Sequence, residues 1–129
     1  MNIKNIFISH LDFSSLHQKI SNFVFEKIFI LFPDPWHKRR HFKRKLINQS
    51  FIQKIKLISD NKTSVVIATD NTIYQDLIRE SFKKDEHFEK VVEKTNDRFL
   101  GIVDVIETKY YKKALNNNNE SIFFVFNKK

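Results

Sequence analysis

The run Ile28-Phe29-Ile30-Leu31-Phe32, cut off by Pro33 and Pro35, narrows the possible folds more than any other feature of the chain. Five successive apolar residues show no alternation. The segment therefore suits a strand covered on both faces, the pattern of a central strand in a parallel sheet. Proline offers no amide to a ladder, so the strand must end there. Two other apolar runs, Ser64 to Ala68 and Ile122 to Phe126, read as further buried strands. Between the first two runs the period changes. Ile47, Phe51, Ile55 and Ile58 recur at helical spacing, with Leu46, Ile52 and Leu57 widening the stripe, which predicts a helix from about Phe42 to Ser59.

The remaining segments fit the same plan. Ile3 to Ser9 is β-rich and reads as a strand, and the capping residues Asp12 to Ser15 open a short helix through Ile20. Asp60-Asn61-Lys62 breaks the second helix. Thr69 to Thr72 offers caps for a third, running to about Phe82 with Ile73, Leu77 and Ile78 inward. Glu89 to Lys94 looks like a strand, Asp97 to Val105 like loop and extended chain, and Asn116 to Asn119 like a turn. Ile106 to Lys113 stays ambiguous. Alternating strands and helices imply an α/β fold with a mostly parallel sheet. At 129 residues, without repeats or an evident linker, residues 1–129 read as a single domain.

In such sheets ligands bind beyond the carboxyl ends of the strands. Asp12, Asp34 and Asp70 are expected there, although aspartate is also a routine helix cap. Pro33 and Pro35 restrain Phe32 and Asp34, each of which precedes a proline and is pushed toward extended geometry. A carboxylate held rigidly beside Trp36 can orient a planar ring and balance positive charge developing on it. A stiff turn with Trp36 in the core would account for the prolines but not for Asp34.

Charge adds a second constraint. Lys and Arg number 23 against 15 Asp and Glu, a net charge of +8 that attracts polyanions. An A+T-biased coding sequence would also raise lysine, but Lys38 to Lys45 mixes both cations, with six of them in eight residues. Such a block can grip several phosphates at once, whereas its bland alternative is a solvated helix face. Cysteine is absent, which excludes disulfides and thiolate metal sites. His37 and His41 stand one helical turn apart, but no third ligand is evident and cations surround them, so no metal site is expected. No apolar run could span a membrane and no secretory pattern opens the chain, so a cytoplasmic location is expected. Gly101 is the only glycine, which excludes a glycine-rich phosphate or dinucleotide turn.

At FPDPWHKRRHFKRK, Phe32 to Lys45, the chain closely resembles the TrmB/Trm8 family of tRNA (guanine-N7-)-methyltransferases. Two further stretches agree in order and spacing: Ala68-Thr69-Asp70 before a helix containing Tyr74, and Thr108-Lys109-Tyr110 near the C-terminus. The resemblance runs from about Asn2 to Phe126. It implies a Rossmann-like fold and transfer of a methyl group from S-adenosylmethionine to N7 of a guanosine in the tRNA variable loop. It assigns catalysis to Asp34 and cofactor contact to Asp12 and Asp34. Substrate contact falls on Lys38, Asp70, Thr108, Lys109, Tyr110 and Tyr111, and RNA contact on Arg40, His41, Phe42, Lys43, Arg44 and Lys45.

Two departures qualify the match. The family carries an N-terminal half, with the glycine-rich cofactor turn, that this sequence does not contain. The family's T-x-x-E motif becomes Thr108 to Tyr111, without the carboxylate. The expectation is a C-terminal portion of the enzyme, inactive alone, with a separate chain as the possible carrier of the other half. The rivals are a non-enzymatic basic module that binds tRNA, and the remnant of a split gene.

Overall fold

The computed structural model describes residues 4–34, 45–95, 109–116 and 120–129. Among the described residues four helices and four strands alternate: α1 (Phe13–Ile20), β1 (Lys27–Leu31), α2 (Gln49–Leu57), β2 (Ser64–Thr69), α3 (Thr72–Lys83), β3 (Phe88–Thr95), α4 (Lys109–Asn116) and β4 (Ile122–Lys128). The first three helices start in the same way. Asp12 accepts from the Ser15 amide at 2.8 Å, Asn48 from Phe51 at 2.8 Å and Asn71 from Tyr74 at 2.9 Å. Each cap satisfies a donor that the first helical turn would otherwise leave unpaired.

The sheet order is β1-β2-β4-β3. β1 and β2 run parallel, from Lys27 opposite Ser64 to Leu31 opposite Ala68. β4 lies antiparallel between β2 and β3, so the sheet is mixed and the expected mostly parallel sheet is corrected. The reason is physical. A continuous apolar run reports burial on both faces, which β4 has from the clusters around Phe124 and Phe126 on one face and Phe123 and Val125 on the other, and says nothing about strand direction.

One sheet face presents Val65, Ile67, Phe124 and Phe126 to α2 and α3, forming the main core with Phe51, Ile52, Ile55, Tyr74, Ile78 and Phe82. Phe82 stacks on Phe126 with centroids 3.9 Å apart and meets Phe88 edge-on at 5.4 Å. The other face carries a smaller cluster of Val66, Ala68, Phe123 and Val125. Full burial of side chains of this size contributes roughly 1.5–3 kcal/mol each, so the main cluster dominates stability.

Several expectations need correction. Residues 4–10 form no strand; Phe7 and Ile8 are 94% and 86% exposed. β propensity alone does not hold a strand that has no neighbour to bond. The helix expected from Phe42 begins only at Gln49, because Asn48 takes the capping position. Leu57 and Ile73, expected inward, point to solvent, while Tyr74 takes the buried position in the first turn of α3. The ambiguous stretch before Lys113 contributes to α4, which continues to Asn116. Phe32 is not extended; its φ of 52° is left-handed. The expectations for 96–108 and 117–119 lie outside the described residues.

Candidate functional site

The two parallel strands bring their carboxyl ends side by side. Past Leu31 the Phe32 amide still donates to the Ala68 carbonyl at 2.8 Å, extending the ladder by one bond. The left-handed backbone at Phe32 then turns the chain away from β2, a conformation that costs a non-glycine residue about 1–3 kcal/mol. The Phe32 side chain offsets part of this by packing against the smaller cluster. Pro33 follows, and Asp34 emerges exposed. On the neighbouring strand, Asp70 follows Thr69 directly and sits half-buried before the Asn71 cap of α3. Asp34 and Asp70 thus leave adjacent strand ends at the same edge of the sheet, as expected.

Tyr74 organises the floor of this edge. It is fully buried, and its hydroxyl accepts from the Ile47 amide at 3.1 Å. The Lys45 ammonium lies over its ring, 5.7 Å from the centroid. Burial pushes the Tyr74 phenol up from its ordinary value, and the negative charge of Asp34 pushes in the same direction. One aromatic ring therefore senses Asp34 and holds the segment that returns from the basic block. Its signal in the sequence is its place in the first turn of the helix after Asp70, four residues on.

Asp12 stands elsewhere. With no strand formed before it, Asp12 is a helix cap rather than a strand-end residue. The Ser15 amide and hydroxyl hold its carboxyl below the usual range. It shares a groove of about 270 Å3 with Ser14, Lys45, Asn48, Ser50 and Lys54, between the starts of α1 and α2. The Lys54 ammonium crosses this groove to the Ser14 hydroxyl at 2.7 Å. The structure thus brings Asp12 and Lys45 together, which nothing in the sequence pattern foreshadows, and it adds Lys54.

Lys45, the last cation of the basic block, is 7% exposed. Trp36, Lys38, Arg40, His41, Phe42, Lys43, Arg44 and Thr108 lie outside the described residues, as do His37 and Gly101. Lys109 opens α4 with its side chain exposed, and Tyr110 and Tyr111 follow on the α4 backbone. Among the described residues no three potential ligands cluster to hold a metal ion, and no helix is long and apolar enough to cross a membrane.

Comparison with known proteins matches residues 1–124 to the family described as "Putative methyltransferase". Three curated relatives share the name tRNA (guanine-N(7)-)-methyltransferase. The Caulobacter vibrioides protein is 31% identical over 88% of this chain and 50% of its own length. The Neorickettsia sennetsu protein is 38% identical over 75% of the chain and 46% of its own length. The Wolbachia pipientis protein is 32% identical over 95% and 52%. The chain spans about half the length of the curated relatives it matches. With a match over nearly all its length, the chain belongs to this methyltransferase family, and it is similar to members named tRNA (guanine-N(7)-)-methyltransferase.

Proposed function

We propose that the chain forms part of a Rossmann-like methyltransferase domain that methylates N7 of a guanosine in the tRNA variable loop. The observation that carries this reading is the pairing of Asp34 and Asp70 at adjacent parallel strand ends, with the basic block directly following Asp34. S-adenosylmethionine, when bound, supplies an electrophilic methyl group on a sulfonium. The chemistry of the residues present fits the cationic end of that cofactor at Asp34, an exposed carboxylate able to face positive charge, whereas Asp12 caps α1 away from the strand ends. The rest of the cofactor would need the part of the family's length that this chain does not span.

The chain's own residues have three tasks in this reaction. N7 of guanine bears a lone pair and no proton, so no strong base is required. Asp34 stabilises the positive charge that methylation builds on the ring. Lys38, Asp70 and the segment from Thr108 to Tyr111 orient the base, since in-line alignment supplies much of the acceleration. Arg40, His41, Phe42, Lys43 and Arg44 hold the tRNA backbone, and Lys45 anchors the end of the block on Tyr74.

The test is methyl transfer to tRNA with labelled S-adenosylmethionine. Purified alone, the chain is expected to transfer none. Supplied with the remaining half of the domain, it should become active. Asp34→Ala should then lower turnover by about 100-fold or more, the scale of removing one group that stabilises transition-state charge. Full activity of that variant would refute the assignment of Asp34. A chain that binds tRNA and never transfers methyl under either condition would be an RNA-binding module instead.

A further inference from the structure

Most cations on the helices of this chain have a partner. Lys56 at the end of α2 pairs with Asp85, and Lys54 reaches the Ser14 hydroxyl. In α3, Arg79 pairs with Asp76 and Glu93, and Glu80 stands one turn before Lys83. α4 is different. Its sequence, KYYKKALN, holds Lys109, Lys112 and Lys113 and no carboxylate. Tyr111 stands where the T-x-x-E pattern would place one. All three lysines are exposed, and among the described residues none of them takes part in an ion pair.

The helical period gathers the three on one side. With about 3.6 residues per turn they fall within an arc of about 100°, and Ala114 falls roughly opposite them. Ala114 is buried, so α4 lays that side on the body of the molecule and turns the lysines outward. Gln75 fixes where this face stands. Its side-chain amide, itself buried, donates to the Thr69 carbonyl at 3.2 Å and to the Glu120 carbonyl at 3.3 Å. Thr69 ends β2 immediately before Asp70, and Glu120 lies where the chain comes back from α4 toward β4. The four peptide steps from Asn116 to Glu120, with about one turn back along the helix to Lys112, span at most about 20 Å. The lysine face is thus tethered to the same edge of the sheet from which Asp34 and Asp70 emerge.

We infer that the outward face of α4, centred on Lys112 and Lys113 with Lys109 beside them, binds phosphates of the tRNA backbone as a second contact surface, separate from the block that follows Asp34. The inference deepens the function proposed above and rests on it. Lysines three and four positions apart on a helix have Cβ atoms about 5–6 Å apart, and their long side chains can meet neighbouring phosphates of one strand. Contacts to the backbone carry no base information; they set the register in which the guanosine lies against Asp34. Two separate grips fix that orientation, where a single one leaves the RNA free to pivot. RNA is favoured over other polyanions because the face shares its edge of the sheet with Asp34 and Asp70.

The experiment is tRNA binding by the intact chain, followed by filter binding across a series of salt concentrations. Lys112→Ala with Lys113→Ala should flatten the dependence of log affinity on log salt by about 0.7 for each phosphate released, about 1.4 for the pair. Alanine favours a helix at least as well as lysine, so this variant should melt as the wild type does. Lys112→Gln with Lys113→Gln, neutral and of similar length, gives the same reading if the alanine pair unfolds. Lys112→Arg with Lys113→Arg keeps the charge and should keep the slope. Lys62→Ala with Lys84→Ala removes equal charge from exposed positions at the opposite end of the sheet and should also leave the slope unchanged. An unchanged slope in the neutral α4 variants, or an equal loss in the Lys62 and Lys84 pair, would overturn the inference. If replacing Arg40, Lys43 and Arg44 still flattens the slope in that case, the function proposed above stands without the second surface. A slope that answers to Lys112 and Lys113 in a chain that transfers no methyl group, even when supplied with the rest of the domain, would keep the surface and sink the methyl-transfer reading. A wild-type chain that does not bind tRNA would sink both.

Discussion

At the scale of single residues, Tyr74 shows how one buried polar atom can organise a site. Its hydroxyl accepts from the Ile47 amide, two residues beyond the basic block. Tyr74→Phe keeps the ring beneath Lys45 and removes only that acceptor. A buried amide left without one costs about 1–3 kcal/mol, so the unfolding free energy should fall by that amount and the Ile47 amide should exchange faster. The sequence reveals Asp34, Asp70 and the cations after Asp34 through residue type and spacing. It does not show that Tyr74 touches Ile47, because a bond across 27 positions has no local signature. Lys45 is equally opaque, since a lysine in a charged run gives no sign that it is itself buried.

Elements follow local rules until they need neighbours. The starts of α1 and α3 are largely readable from their capping residues, and β1, β2 and β4 from apolar runs, whereas α2, expected from about Phe42, starts only at Gln49. The inward face of α3 is not readable, because Ile73 and Tyr74 are adjacent and both apolar enough to bury. Tertiary contacts tie the elements together where no pattern would show it. The Lys56 ammonium, at the end of α2, lies 2.6 Å from Asp85 in the turn between α3 and β3, and the His87 amide bonds the same carboxylate at 2.8 Å. Burial alone would raise the Asp85 carboxyl, but Lys56 and His87 hold it below the ordinary aspartate value. The stability it contributes is therefore complete above that ordinary value and fades as pH falls through the depressed folded value. Asp85→Asn should cost about 3 kcal/mol at neutral pH, the lower end for a broken buried pair. In urea titrations across acidic pH, the gap between variant and wild type should close as the solution becomes strongly acidic.

For the molecule as a whole, charge is the property that reaches furthest. If Arg40, Lys43 and Arg44 grip tRNA phosphates, replacing all three with alanine should flatten the dependence of log affinity on log salt by about 0.7 for each phosphate no longer neutralised. An unchanged slope in a filter-binding series would remove the block from the interface. By itself the sequence determined the α/β class, the strand-end places of Asp34 and Asp70 but not of Asp12, and the basic motif, because these depend on residue type and short-range period. Only the tertiary structure decided the antiparallel place of β4 and the failure of residues 4–10 to form a strand. Each of these depends on which strand lies beside which. Hydrogen bonding between strands joins residues far apart in the chain, and an apolar run records that a strand wants neighbours without recording where, or on which chain, they are found.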